Sequence, residues 1–318
     1  MEKNPSLAPA KPVPRKLRKG KKFKNRNNLA GYIFISPWLV GFLMFTIIPM
    51  LWSLYLSFTK YDILSSPRWV GLMNYETMFK YDYLFPQSLK VTFQYAFTAV
   101  PLRLLFALIL ALLLSQKRRG VGLYRTLFYV PSVFGGSIAV AVMWRQLFGV
   151  NGALNSILMA LGVIEEGIGW LTGPNTAIWT LVALAVWQFG SPMLIFLAGL
   201  KQISFSLYEA AMIDGASSWQ KLIYITLPML SPIIFFNFLV QMINGFMMFT
   251  QALIITNGGP FNRTLMYVLY IYRKGFTDYS MGYASALAWI MLVIIGILTA
   301  IIFKTSSYWV FYETGEGK

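Results

Sequence analysis

The 318-residue chain contains no cysteine and no histidine. That removes disulfides, thiolate nucleophiles, imidazole bases and the usual zinc, haem and iron–sulfur ligands. Acid is scarce too, with 11 Asp and Glu against 27 Lys and Arg. Charged residues make up only 12% of the chain, about half the roughly 25% of a soluble domain. At 57% hydrophobic residues, the apolar surplus exceeds what one soluble core of this length can bury, so lipid must solvate much of it. Aromatic residues, at 17%, suit belts at the two membrane interfaces and equally suit a sugar site.

Six segments have the roughly 20 mostly apolar residues that a span requires: 30–58, 88–116, 122–148, 176–199, 231–256 and 280–303. They predict an all-α, polytopic membrane bundle. Pro37, Pro49, Pro101, Pro131 and Pro192 lie inside these segments, where bundle neighbours can satisfy the carbonyls they free. None of the six contains Asp or Glu. Ion-coupled carriers usually need an ionisable group in the membrane, and a membrane hydrolase needs paired carboxylates, histidine or an activated nucleophile. If this chain moves a solute uphill, another subunit supplies the energy. No carbonyl-filter motif or acidic ring speaks for a channel.

The positive charge is uneven. Ten basic residues (Lys3, Lys11, Arg15, Lys16, Arg18, Lys19, Lys21, Lys22, Lys24 and Arg26) precede the first apolar segment. This proline-rich stretch, residues 1–28, reads as a disordered cytoplasmic tail lying along anionic lipid. The apolar run behind it is too long for the roughly 7–15-residue core of a cleaved signal peptide. Together the tail, the 117–125 loop, the 200–230 loop and the C-terminal end (304–318) hold 18 Lys and Arg, against six in the other three loops. Both termini are therefore expected inside, with 59–87, 149–175 and 257–279 outside. In the 149–175 loop, Asn151 is placed to cap a short helix ending at Gly162, whose apolar residues Leu154, Ile157, Leu158 and Leu161 share one face.

The 206–228 loop carries the densest local signals. Ser206 and Glu209 are spaced as a capping box, predicting a helix from Leu207, and Gly215 suits a left-handed C-terminal cap. Ser217 and Gln220 repeat the box spacing and open a second short helix leading to Pro228. A helix of about two turns is not stable alone in water, so the first must dock on something.

Glu209-Ala210-Ala211, then Gly215, then Ile225-x-Leu227-Pro228 resembles the EAA loop of ABC-importer permeases. Gly31-Tyr-Ile-Phe-Ile-Ser-Pro-Trp38, Trp69-Val-Gly-Leu-x-Asn-Tyr75 and Asn257-Gly-Gly-Pro260 with Tyr270, Tyr272 and Phe276 look like the sugar-importer branch, the relatives of the maltose permease's larger subunit. The resemblance implies the type I importer permease fold over residues 29–303, with 201–230 as coupling loop. It implies that Glu209, Ala210, Ala211, Asp214 and Gly215 contact a cytoplasmic ATPase that is present in two copies and binds ATP and Mg itself, so that this chain has no catalytic residues, metal or cofactor of its own. It also implies a second homologous permease as heterodimer partner, an extracytoplasmic solute-binding protein, and residence in the cytoplasmic membrane of a bacterial-type cell.

Sugars are held by planar polar side chains and aromatic faces. The fourth segment offers Trp187, Gln188 and Ser191, and the fifth offers Gln241, Asn244 and Phe249, with Asn237 extending the amide face. The resemblance places Gln188, Ser191, Gln241 and Asn244 at or beside substrate contacts. These amides are equally suited to bonding between helices, and Trp187 and Phe249 to packing. Arg103 sits mid-span, where charge is costly. It either bonds backbone carbonyls or a neighbouring subunit, or meets an anionic cargo such as an acidic oligosaccharide or glycerol phosphate. Two rivals from other classes remain at this level: a self-contained channel or membrane enzyme, and a basic-tailed anchor for nucleic acid. The first leaves 206–228 unexplained. The second has no use for about 270 residues of membrane protein.

Overall fold

The computed structural model describes residues 26–116 and 119–311. Most of the basic tail, Lys117 and Arg118 of the 117–125 loop, and the end of the 304–318 segment lie outside the described residues. The chain divides into two compact units, one through Trp52 and one from Ser53 onward.

Four helices are each long and apolar enough to cross a membrane: Gly31–Ser57, Leu84–Ser115, Ser218–Phe246 and Met281–Ser306. Two bent pairs pass the same test, Val121–Phe134 with Ile138–Leu147 at 97° and Ala177–Trp187 with Gly190–Leu200 at 40°. Counting each pair as one crossing gives six spans, numbered here in chain order. In the first unit the helix Arg26–Phe42 runs into a π turn at Leu43–Ile47, and its side chains from Gly31 onward are almost all exposed.

The second unit is organised around the second span. That helix packs on both halves of the fourth span and on the fifth. Ala96, Ala99, Ala107 and Ala111 recur on its buried face with at most 1% exposure, and such small side chains let neighbouring backbones approach closely. Gly190 makes a comparable contact: a Cβ there would stand 2.6 Å from the Phe128 carbonyl and 2.8 Å from Tyr129 Cα, so the third and fourth spans meet backbone to backbone.

Three elements differ from the expectations above. The 122–148 segment is not one helix, because Gly135, Gly136 and Ser137 interrupt it and the Ser137 hydroxyl caps the second half by accepting from Val140 N–H at 3.3 Å. The fifth helix does not begin near 231. The short helix Ser218–Lys221 passes through a π turn at Leu222–Thr226 directly into Leu227–Phe246, so the expected second loop helix is the first turn of the span. Pro228 has no N–H to continue the α ladder, and the π turn carries the chain past it with a bond from Leu227 N–H to the Leu222 carbonyl. At the other end this helix stops at Phe246, and residues 252–256 form a separate π turn.

In the 149–175 loop the helix is Ala153–Ala160, and its N-cap is Gly152 rather than Asn151. The residue that fixes this loop is Asn155, which is fully buried. It donates to the Val150 and Ile168 carbonyls at 2.9 and 2.8 Å and accepts from the Trp170 indole N–H at 2.7 Å. Of the apolar residues that share one face of this helix, Leu154 and Leu158 are half-buried, while Ile157 and Leu161 are exposed.

Candidate functional site

The loop between the fourth and fifth spans forms a helix at Phe205–Ile213, with Ser204 rather than Ser206 at its N-cap position and no side-chain capping bond. Ser204 is the last extended residue, and the Ser206 hydroxyl is engaged with Ser204 Oγ at 2.8 Å, which leaves it no part in capping. No residue of this helix is buried; Phe205 is 67% and Ile213 87% exposed. Gly215 ends it at φ +74°, while Ala216 N–H reaches back to the Ala211 carbonyl at 2.8 Å, closing the C-terminal cap. Ser217 and Gln220 then form a complete reciprocal capping box. A hydrogen bond of 2.9 Å between the Tyr208 hydroxyl and Thr226 Oγ1 ties the short helix to the base of the fifth span. Glu209, Ala210, Asp214 and Gly215 are exposed, and Ala211 is half-buried. The five residues are therefore gathered on one short helix and its cap.

The second constellation lies inside the second unit, and its logic starts at Pro192. A proline has no N–H for the carbonyl four residues earlier, which here belongs to Gln188. The fourth span bends at that point. The freed Gln188 carbonyl accepts from Arg103 Nε at 2.9 Å, from Arg103 Nη2 and from Ser132 Oγ at 2.8 Å. Ser132 Oγ also accepts from Ser191 N–H at 3.1 Å, so one hydroxyl serves both sides of the break. The Gln188 side chain donates to the Gly135 carbonyl at 3.0 Å, which joins the break of the fourth span to that of the third. Arg103 Nη1 donates to Gln241 Oε1 at 2.9 Å and brings in the fifth span. Neighbouring helices and a serine thus satisfy a helix broken at membrane depth.

This network forms one wall of a cavity of about 340 Å³, within the roughly 300–1,000 Å³ of small-molecule sites. Arg103, Gln188, Gln241, Asn244 and Phe249 line it, and none of its lining residues is acidic. Two candidates fall elsewhere. Trp187 packs at a tilt against Trp144 with ring centres 5.7 Å apart, and Ser191 meets the network only through its backbone N–H. Tyr95, Met248 and Gln251 also line the cavity and were not singled out from the sequence. Tyr95, Ala99 and Arg103 follow the four-residue spacing of one helix face, which is the signal that points to Tyr95. Gln251 has no such signal, since it lies beyond the end of the fifth helix.

Residues 104–310 match the profile of the family described as binding-protein-dependent transport system inner membrane component. The chain is 56% identical over 293 residues, covering 92% of it and 94% of the relative, to "Probable ABC transporter permease protein YesP" of Bacillus subtilis (strain 168). It is 33% identical over 282 residues, covering 87% and 93%, to "Lactose transport system permease protein LacF" of Rhizobium radiobacter. Its fold is similar to a solved chain of a bacterial ABC transporter involved in the import of the acidic polysaccharide alginate, with a TM-score of 0.76 at 22% identity over 89% of this chain and 96% of that one. A helical bundle with up to six spans, the type I permease fold and a family match over about two thirds of its length agree: the chain is a multi-pass membrane transporter subunit belonging to the binding-protein-dependent transport system inner membrane component family.

Proposed function

We propose that this chain is one of two homologous permease subunits in an ATP-driven importer, forming half of the path for a sugar or oligosaccharide that an extracytoplasmic binding protein delivers. The observation that carries the ATPase contact is the helix Phe205–Ile213, nine residues long with none buried. A helix this short is marginal alone, and its exposed Phe205, Met212 and Ile213 ask for a partner surface. Glu209, Ala210, Ala211, Asp214 and Gly215 meet that surface in this reading, and two ATPase copies hold ATP and Mg. The charge bias puts the loop, residues 1–28 and residues 304–318 in the cytoplasm, around a membrane domain at 29–303 in the cell membrane. The lactose permease relative and the amides of Gln188, Gln241 and Asn244 around one cavity support a saccharide cargo.

One observation favours a narrower cargo. Arg103 has no acidic neighbour in the cavity lining, and three of its five N–H donors are used, all on carbonyl oxygens. Its charge is solvated but not neutralised, which suits an acidic oligosaccharide or another anionic ligand.

The test is to co-express the chain with its neighbouring permease and ATPase genes and purify through a tag on this chain. ATP hydrolysis is then followed with the binding protein and candidate neutral and acidic sugars, for wild type and Gly215→Asp. A co-purifying ATPase stimulated by one sugar, and uncoupled or lost in Gly215→Asp, supports the assignment and names the cargo. Purification of the chain alone, with solute flux in liposomes without ATP, replaces it with the channel reading.

A further inference from the structure

At the end of the bundle opposite the 205–226 hairpin, a larger cavity of about 700 Å³ opens between the 60–84 segment, the 270–280 segment and the start of the sixth span. The charge bias puts this end outside. Six of the chain's 18 tyrosines line the cavity: Tyr61, Tyr81, Tyr83, Tyr270, Tyr279 and Tyr283. That is a third of them at one place, far beyond what an interfacial belt spread around a bundle would collect.

Its frame is built around Asp82. One carboxylate oxygen accepts from Leu84 and Phe85 N–H at 2.9 and 3.3 Å, at the start of the second span. The other accepts from the hydroxyls of Tyr270 and Tyr283. Burial, reinforced by the bond to Asp82, holds the Tyr270 hydroxyl well above its ordinary range, so it stays a donor. Asp82 is thereby saturated and serves as a pillar joining three elements.

The rim is different. Tyr81, Tyr83 and Tyr279 are 75%, 77% and 55% exposed. Tyr279 sits at φ +54°, a conformation that side chains other than glycine rarely adopt. Its neighbours hold it there, with Ser280 N–H on the Lys274 carbonyl at 2.8 Å and Gly282 N–H on the Tyr61 carbonyl at 3.1 Å. Strain that the surroundings enforce is characteristic of a functional position. The other lining groups include Lys60, Lys274, Asp62, Asp278 and Thr77. With Asp82 occupied by its four hydrogen bonds, two carboxylates stand against two ammonium groups, and Lys274 is already paired with Asp278 at 2.8 Å, so the cavity selects neither a strong anion nor a strong cation.

Flat amphipathic rings with hydroxyls, amides and balanced charge are the chemistry of a polyhydroxylated ligand, whose ring faces stack and whose hydroxyls both donate and accept. We propose that this cavity is an outer saccharide subsite, separate from the Arg103 cavity, in which Tyr81 and Tyr83 stack on sugar rings of a saccharide at the mouth of the path. The proposal rests on the reading of the chain as a saccharide importer subunit.

The experiment uses the complete transport complex in lipid nanodiscs without the binding protein. Saturation-transfer NMR is titrated with lactose, maltotriose, maltotetraose and a uronate trisaccharide. Wild type and the double variant Tyr81→Ala/Tyr83→Ala are compared, and the exposed tyrosines are removable without touching the Asp82 frame. The expected result is a saccharide contact weakened at least tenfold in the double variant. If one of these sugars stimulates ATP hydrolysis through the binding protein but none contacts the nanodisc complex through the tyrosines, the subsite is overturned while the importer reading stands. If the double variant weakens binding-protein docking and leaves saccharide contact intact, the cavity is a protein contact and the proposal is equally overturned. Absence of both contact and stimulation with all four overturns both.

Discussion

The hairpin at 205–226 and the Arg103 network are the two most polar-patterned parts of the chain, and they are built in opposite ways. The hairpin is contiguous: its caps, its left-handed glycine and its tether from Tyr208 to Thr226 lie within about 20 residues, and its first helix buries none of its residues. The Arg103 network joins residues 85 and 138 positions apart, and its centre is a backbone carbonyl. The first is an exposed, locally built shape, which the proposed function docks on an ATPase; the second is an internal repair of a broken helix that also walls a cavity. Substitutions in the hairpin should therefore change coupling and spare stability, whereas substitutions in the network should change both.

The sharpest break of this contrast is Gly215→Val. No atom lies within 4 Å of a Cβ at Gly215, so the cost is conformational: φ +74° for a β-branched residue. The left-handed region costs an L-residue roughly 1–2 kcal/mol, and a branched one more. The cap should rearrange locally, with binding-protein-stimulated ATP hydrolysis falling at least about tenfold, the equivalent of roughly 1.4 kcal/mol. The thermal unfolding midpoint should stay near wild type, because the helix Phe205–Ile213 that Gly215 ends buries no residue. A lowered midpoint with intact coupling would reverse the assignment of the two regions.

Arg103→Met comes next and should move both readouts. The Gln188 carbonyl keeps only Ser132, and Gln241 loses its donor. Buried hydrogen bonds in membranes are modest, so we expect a stability loss of about 1–3 kcal/mol by reversible denaturation in detergent, together with reduced uptake in proteoliposomes. Arg103→Lys should rescue little, because one ammonium cannot reproduce the planar fork that grips a carbonyl and an amide at once. If Arg103→Lys restores stability but not uptake of an acidic sugar, the guanidinium matters for cargo more than for the helix break.

Tyr208→Phe is a smaller test of the hairpin. It deletes one hydrogen bond, worth about 0.5–1.5 kcal/mol, between the short helix and Thr226. ATPase stimulation should drop a few-fold while the unfolding midpoint falls only slightly. An unchanged stimulation would mean that the partner surface alone sets the position of the helix.

The same contrast explains what was legible in the sequence. Apolar length alone pointed to the four long helices and the two bent pairs, because lipid imposes that length. The Ser217–Gln220 box and the Gly215 cap were legible because their geometry is local. The bend at Gly135–Ser137 was not, since consecutive glycines permit a bend without dictating it, and the contact made there, from Gln188 to the Gly135 carbonyl, comes from 53 residues away. Pro192 does announce that the Gln188 carbonyl lacks its usual donor. That Arg103, 85 residues earlier, would supply the replacement is a tertiary fact that no local pattern contains. The fifth span was misplaced by a proline read as an end: Pro228 lies inside a continuous helix that a π turn carries past it.

Asn237 completes the comparison, because it looks like a member of the cavity and is not. From the sequence it extends the amide row of Gln241 and Asn244, yet it lies outside the cavity lining and is fully buried. Its Nδ2 reaches the Pro192 carbonyl only at 3.5 Å, and its Oδ1 has no partner among the described residues. A buried polar group with one weak bond and one orphaned acceptor is a net cost, and replacing it with an apolar group of similar shape is commonly neutral or favourable. Asn237→Leu should therefore raise stability by up to about 1 kcal/mol and leave uptake unchanged. Gln241→Leu, four residues on and bonded to Arg103, should lower both. Should Asn237→Leu instead abolish uptake at full stability, the orphaned Oδ1 would be a transport contact made in a conformation other than this one, and the boundary between packing amides and path amides would move one helical turn along the fifth span.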